Sequence, residues 1–511
     1  MVERQPELDR EQLAALPPAF DMLPYAEAQA HQCLAVHDGG RLLLIADRAT
    51  APLLLPWADA YLMRPFTLAF AAAADIAAVL AGHGEGMLAM DALPAAAPVD
   101  TTPGEGVESL SLDSIHSQAS AIVRLTNSTL YDAYKAGASD IHLESSGEGL
   151  RVKYRLDGVL SLIAEPLGVQ TAEQVISRIK VMAELDISER RVPQDGRFKV
   201  RINHREIDFR VSVMPSIHGE DAVLRILDKS ALTDQMSSLT LDALGFRPSM
   251  MRQVRRLARE PYGMFLVTGP TGSGKTTTLY ALISEVNTGQ DKIITIEDPV
   301  EYQLPDVLQI PVNEKKGLTF AKGLRSILRH DPDKILVGEI RDAETAQIAI
   351  QSALTGHLVF STVHANNAFD VISRFRHMAV APQSFASAIN GILAQRLVRL
   401  NCPQCSVETR PDAGLIADSG LADSDLSGFD FRQGGGCPHC RGSGYKGRQA
   451  VVELLRLDDE IRELIVAEAP LRRLREEAAR CGMRDIRAAA LDLVRDGLST
   501  LEEVNRVTFV A

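Results

Sequence analysis

Between about residues 241 and 397, short apolar runs alternate with stretches whose apolar residues recur at helical spacing. Several of the apolar runs end in polar residues. Phe265–Val267 leads into a Gly-rich turn, and Ile293–Ile296 into Glu297 and Asp298. Ile335–Val337 leads to Glu339, and Leu358–Phe360 to Ser361, Thr362 and His364. Short apolar runs of this kind predict buried strands, and their alternation with helices predicts an α/β fold around a mainly parallel sheet. Ligands in open α/β sheets sit at the carboxyl ends of the strands, so the pattern gathers these polar groups around one ligand.

The patterns on either side differ. Residues 1–93 are Ala- and Leu-rich, and the Pro/Ala/Thr/Gly stretch within 94–112 reads as a linker. Phe66 to Leu80 is the most apolar stretch; Asp75 interrupts it, and it reads as a packed helix rather than a membrane span. From 113 to 229, a helical pattern (Ile115 to Ala136) precedes strand-like segments at Ile141–Leu143, Leu150–Tyr154, Phe198–Ile202, Ile207–Val213 and Ala222–Ile226. A helix-like run, Thr171 to Ala183, lies between them, which predicts a small α+β domain. A polar linker at 230–240 leads into the core, 241–397. Residues 398–446 carry paired cysteines, and 447–511 has the periodicity of a small helical cap.

The Gly-rich turn reads Gly269-Pro270-Thr271-Gly272-Ser273-Gly274-Lys275-Thr276, with Thr277 next. It satisfies G-x-x-x-x-G-K-[ST] between a strand and a helix, the context of a phosphate-binding loop. Glycines let backbone N–H groups curl round a phosphate, and the helix N-terminus adds unpaired donors and partial positive charge. Lys275 is placed to reach the β- and γ-phosphates of ATP, and the Thr276 hydroxyl to ligate Mg²⁺. Glu339 is placed to orient or deprotonate an attacking water or to hold the Mg²⁺ shell; Glu297 and Asp298 form a second carboxylate pair. His357 and His364 flank one strand and could sense the γ-phosphate or bridge to a neighbouring subunit. Arg197, Arg210, Arg325 and Arg329 are candidates for charge stabilisation; the last two lie four apart on a predicted helix, hence on one face. Surface salt bridges would explain each arginine equally well at this point.

Cys402-x₂-Cys405 and Cys437-x₂-Cys440 offer four thiolates for tetrahedral, structural Zn²⁺. Their separation requires an inserted loop. Disulfides or a redox pair are the alternatives, the former disfavoured in a cytosolic setting. His439 is read as a spare donor outside the ligand set, and Cys33 and Cys481 as ordinary packing residues.

Charge and composition narrow the partners. A formal charge of −13 and only 5% aromatic residues oppose a nucleic-acid-binding surface. No signal peptide is visible, so a cytosolic chain that can dock on a membrane protein is expected. A nucleic-acid translocase with a zinc ribbon, and a nucleotide-gated scaffold, remain competing classes.

Taken together, GPTGSGKTTTLY at Gly269, TIEDPVEY at Thr295, LRSILRHDPDKILVGEIRD at Leu324, TGHLVFSTVHAN at Thr355 and the two cysteine pairs resemble the secretion ATPases of bacterial type II secretion and type IV pilus systems. His330 and Ala365-Asn366-Asn367 depart from that family's commoner residues. The resemblance implies a RecA-like P-loop core, a small PAS-like α+β domain before it that supplies arginines, an N-terminal docking domain, a zinc module and a helical cap. It implies a homohexamer whose sites are completed by a neighbouring domain, with ATP, Mg²⁺ and Zn²⁺ as cofactors. It makes Glu339 the catalytic glutamate, supported by Glu297, His357 and His364, with Arg197, Arg210, Arg325 and Arg329 as the family's arginines. In that family the zinc pairs imply an assembly rather than a retraction motor, and the short first block favours type II secretion, with docking on inner-membrane platform proteins at the cytoplasmic face; pilus assembly is the second reading.

Overall fold

The structure, a computed structural model, describes residues 8–84 apart from 10, 11, 14, 15, 21, 24, 39, 40, 63 and 64. It also describes residues 108–510 apart from 112, 113, 116–119, 204, 229–239 and 422–425. The expected linkers at 94–112 and 230–240 lie largely outside the described residues. The chain divides into two units, Met1–Ser230 and Ala231–Ala511.

The first unit opens with a three-stranded sheet. Strands β1 (Cys33–Asp38) and β2 (Arg41–Ala46) form a hairpin, and β3 (Thr67–Phe70) pairs parallel to β2. The stretch expected to be one helix from Phe66 to Leu80 is therefore a strand followed by the helix Ala73–Gly84. The local reason is the Thr67–Phe70 segment, whose β-branched and aromatic ends suit a pleated edge beside β2 better than a helix turn.

The α+β part holds a seven-stranded sheet. Its strands are β4 (Glu108–Leu110), β5 (Asp140–Ser145), β6 (Leu150–Leu156), β7 (Val159–Ala164), β8 (Gln194–Ile202), β9 (Arg205–Ser216) and β10 (Gly219–Leu227), in the order β4-β8-β9-β10-β5-β6-β7. Alternate residues such as Phe198, Val200, Phe209, Val211 and Leu224 are buried, together with the apolar faces of helices Ala121–Ala136 and Val169–Met182. The intervening residues, Arg197, Arg210 and Arg225 among them, belong to the opposite face.

The second unit is built on β11 (Gly263–Thr268), β12 (Ile293–Glu297), β13 (Leu308–Pro311), β14 (Lys334–Val337), β15 (Leu358–Val363), β16 (Ile389–Asn401) and β19 (Tyr445–Arg456), in the order β13-β12-β14-β15-β11-β16-β19. All neighbours pair parallel except β16 with β19. Every residue of β11, β12 and β15 is buried. Met264 and Leu266 join one apolar cluster while Phe265 and Val267 join another, so helices cover both faces. That is why these strands read as unbroken apolar runs rather than alternating ones.

The predicted boundary at 397 falls inside β16, which runs on to Asn401. The segment after 446 begins with β19, a strand of the same sheet, before the helices Asp459–Val466, Leu471–Arg480, Ile486–Arg495 and Leu501–Val507. The cysteine module is thus an insertion between two paired strands. It carries the small ribbon β17 (Ser406–Glu408) with β18 (Arg432–Gly434). A search by apolar periodicity splits such a sheet because an insertion separates its last two strands in sequence.

Candidate functional site

Strands β14, β15 and β11 lie side by side, and their carboxyl ends place three predicted groups together. The loop after β11 is the Gly-rich turn, which opens directly into the helix Lys275–Val286. Gly274 is left-handed, with φ 84°, a conformation that a side chain would resist. Thr268, the last residue of β11, ties this loop to the segment after β15: its hydroxyl donates to Val363 O at 2.8 Å and accepts from Ala365 N at 3.0 Å. Lys275 is half-buried, and its Nζ donates to Gly269 O (2.9 Å) and Pro270 O (3.0 Å). Burial pushes the Lys275 ammonium down, and the Glu339 carboxylate opposes that shift.

Glu339 follows β14. Its carboxylate ion-pairs with Arg341 and lies 3.4 Å from His364 Nε2. The backbone around it is fixed by Ile340 N to Thr362 O at 2.9 Å and by Thr362 Oγ1 to Gly338 O at 2.7 Å. His364 is pushed down by burial and by the Lys275 charge, against the pull of Glu339, so the neutral imidazole is favoured near pH 7. Lys275, Glu339 and His364 thus form one interacting cluster.

The other predicted residues are placed differently. Glu297 ends β12 with its carboxylate buried and held by protein donors: the Tyr280 hydroxyl, Thr295 Oγ1 at 2.5 Å and Gln309 Nε2 at 3.1 Å. Burial first, and then Glu297, push the Tyr280 hydroxyl up, which keeps it a donor. As placed, this carboxylate orients the first helix after the loop through Tyr280. His357 precedes β15, at the amino end of that strand and so opposite the loop, and its Nδ1 lies 3.0 Å from Ser352 O. A whole strand separates His357 from His364, so His357 stands outside the cluster of Lys275, Glu339 and His364. Arg325 ion-pairs with Glu344 at 2.7 Å. The shared-face expectation for Arg325 and Arg329 also needs correction. Their helix, Phe320–Ile327, ends before Arg329, whose N donates to Ser326 O in a tighter turn. Pro332, just beyond, cannot continue a helix.

Arg197 and Arg210 are directly opposite each other on β8 and β9. Arg225 on β10 is opposite Arg210, and Asp140 on β5 is opposite Arg225. Arg225 Nε bonds Asp140 Oδ1 at 3.0 Å, and Arg155 of β6 lies 3.6 Å from the other oxygen. Like charges directly opposite on one face are unfavourable, so three arginines in a row form a cationic groove suited to an anion. Arg225 was missed from sequence. The signal was available: Arg210 and Arg225 are equally far from the two-residue turn Ile217-His218 that joins β9 to β10.

The four cysteines predicted as ligands converge. Their sulfurs lie within 4.8 Å of one another, with Cys402–Cys437 at 3.8 Å and Cys405–Cys440 and Cys437–Cys440 at 3.7 Å. A tetrahedron with Zn–S bonds of about 2.3 Å has edges of about 3.8 Å, so the set fits Zn²⁺ and is too open for disulfides. His439 is exposed and stands outside this set. Cys33 is a buried core residue, as expected, whereas Cys481 is exposed at the end of the helix Leu471–Arg480. The loop likewise fits a nucleotide triphosphate: its backbone curls at a helix N-terminus, and the exposed Thr276 is accessible to a hard cation.

Residues 116–506 match the family described as type II/IV secretion system protein. The chain is 46% identical to the type II secretion system ATPase E of Vibrio cholerae, over 76% of this chain and 75% of that one. It is 43% identical to the type IV pilus assembly ATPase PilB of Thermus thermophilus, over 75% of this chain but 43% of that one. The X-ray structure of the Legionella pneumophila ATPase DotB superposes with a TM-score of 0.53 at 19% identity, over 75% of this chain and 95% of that one, which shows a shared fold.

Proposed function

Because the chain belongs to the type II/IV secretion system protein family, we propose that it is the ATPase that powers pseudopilus assembly for protein export by a type II secretion system. The observation that carries this reading is the convergence of Lys275, Glu339 and His364 at the ends of three adjacent parallel strands, beside a phosphate loop of the family's sequence. Bound Mg²⁺–ATP supplies the transferable phosphoryl group and its charge neutralisation. The chain's residues do the rest. Lys275 and the loop N–H groups would hold the phosphates, Thr276 would offer its hydroxyl to the cation, and Glu339 would orient water. His364 holds the Glu339 carboxylate from one side and Arg341 from the other. Arg197, Arg210, Arg325 and Arg329 are the family's candidates for charge stabilisation, and Arg225 extends the row of Arg197 and Arg210.

Type II secretion is favoured over pilus assembly by the match itself: the secretion relatives are 46–47% identical over 75–77% of their length, the pilus-assembly relatives 43–45% identical over 43–67% of theirs. Among the described residues no helix is long and apolar enough to cross a membrane. Attachment through platform proteins of the inner membrane, by way of residues 1–93, fits that finding. The cysteine module is a structural Zn²⁺ site. Chelation should unfold it locally, since structural zinc contributes on the order of 10 kcal/mol to such modules. Unchanged thermal stability after metal removal would refute that role.

The test of the whole reading is a pull-down of the full chain with the cytoplasmic domains of the secretion and pilus platform proteins of the same cell. Binding to the secretion partner alone supports the reading, and binding to the pilus partner makes the chain a pilus-assembly motor. Strong, salt-sensitive stimulation of ATPase by DNA or RNA would favour the translocase class instead.

A further inference from the structure

Gln395 lies mid-strand on β16 and is 1% exposed, an uncommon place for an amide. Neither its position nor its residue type follows from the sheet's needs, since its neighbours Leu393 and Ala394 are apolar. Both ends of its side chain are used. Nε2 donates to Ser273 O at 2.7 Å, inside the phosphate loop. Oε1 accepts from Thr278 Oγ1 at 2.7 Å, in the first turn of the helix that follows the loop. Its own carbonyl packs where a Cβ on Gly269 would come within 2.4 Å, and its Nε2 where a Cβ on Gly274 would come within 2.9 Å.

A phosphate loop works by turning successive N–H groups toward the anion, which turns the intervening carbonyls away. An outward carbonyl in a buried place needs a donor, and leaving it without one costs about 1–3 kcal/mol. Ser273 O is such a carbonyl, and Gln395 is its donor. The same side chain fixes the helix that carries Lys275 relative to the loop. We propose that Gln395 is a positioning residue for nucleotide binding: a buried amide on the neighbouring strand that holds the loop in its phosphate-ready curve. The proposal rests on the loop being the ATP site. It adds a consequence of topology, because β16 runs without a break from Gln395 to Asn401, and Cys402 comes next. The strand that sets the loop's shape is thus the strand from which the cysteine module hangs.

Two substitutions separate positioning from packing. Gln395→Glu keeps the acceptor for Thr278 but replaces the donor toward Ser273 O with a repelling oxygen. Gln395→Met keeps the volume and loses both bonds. ATP binding to the full chain, KM, kcat and thermal stability are measured for each beside the wild type. The expected result is a KM and an ATP dissociation constant raised about tenfold in Gln395→Glu, which is about 1.4 kcal/mol, and raised less in Gln395→Met. Values of kcat should stay within about threefold, and amide exchange across 269–276 should quicken. A KM unchanged in both folded variants overturns the proposal, as does a fall in kcat with no change in KM. If Gln395→Glu does not fold, Gln395→Met decides by the same KM criterion. Failure of the wild type itself to bind ATP would count against the loop assignment, a result distinct from either of these.

Discussion

The phosphate loop and the arginine groove are built in opposite ways. The loop is contiguous: Gly269 to Thr277 carries its ligands in nine successive residues, and its one cation, Lys275, is already bonded to Gly269 O and Pro270 O. The groove is assembled across strands: Arg197, Arg210 and Arg225 come from three strands, and Asp140 is the acid at the end of their row. One region carries backbone donors and carboxylates, and the other carries guanidinium charge on a separately folded unit. The difference teaches that two anion-suited arrangements are specified by different means: the loop by consecutive residues at a helix N-terminus, the row by hairpin register across three strands.

Changes in the loop should have the largest effect. Lys275→Ala removes the loop's cation and should lower hydrolysis by about a thousandfold or more. Near-normal turnover in an ATPase assay of that variant would remove the loop from the account. Arg225→Ala and Arg210→Ala should each lower turnover by roughly tenfold or more while leaving ATP binding largely intact, if the row acts on developing charge. The control is Asp140→Asn, which removes the acid of the row but keeps its arginines. If Arg225→Ala and Asp140→Asn lower only the melting temperature and do so equally, the row is structural and the comparison fails.

A smaller effect comes from a carboxylate that belongs to neither region, on the helix Leu501–Val507. Glu503 is fully buried and accepts hydrogen bonds from Arg399, at 2.8 and 2.9 Å, and from Arg506, at 2.6 and 2.7 Å. Burial pushes its carboxyl up, but Arg506 and Arg399 outweigh burial and hold it below the usual range. Its folded-state value is depressed, so its stabilisation is present above the ordinary carboxylate pKa of about 4.3 and is lost as pH falls through the folded value. Glu503→Gln should cost about 3 kcal/mol at pH 7. The gap to wild type should close in denaturation curves below about pH 4, with KM for ATP unchanged throughout.

How much of this was legible in the sequence follows from the same contrast. Loop, Glu339 and His364 could be read because each is a strand end, and a parallel sheet brings strand ends together whatever their separation in sequence. The cysteines could be read because each pair is local and only the pairing of pairs is tertiary. Arg225 was missed because its partners are set by hairpin register, which apolar periodicity does not report. His357 lies outside the cluster of Lys275, Glu339 and His364 for the reverse reason: it adjoins the same strand as His364 but at its other end, and direction along a strand matters as much as adjacency. Arg329 was placed on a helix that Pro332 helps to stop. Gln395 gives no signal in sequence, since a polar residue in an apolar run reads as a flaw until its two partners are seen.

The role proposed for Glu339 is to act on water at a nucleotide held by the loop. The most direct measurement is ATP binding and ATP turnover on one preparation of Glu339→Gln. The predicted result is a dissociation constant within about threefold of wild type, with turnover reduced by about 10²- to 10⁴-fold. Turnover close to wild type would contradict the claim, and loss of binding along with turnover would reassign Glu339 to holding the metal.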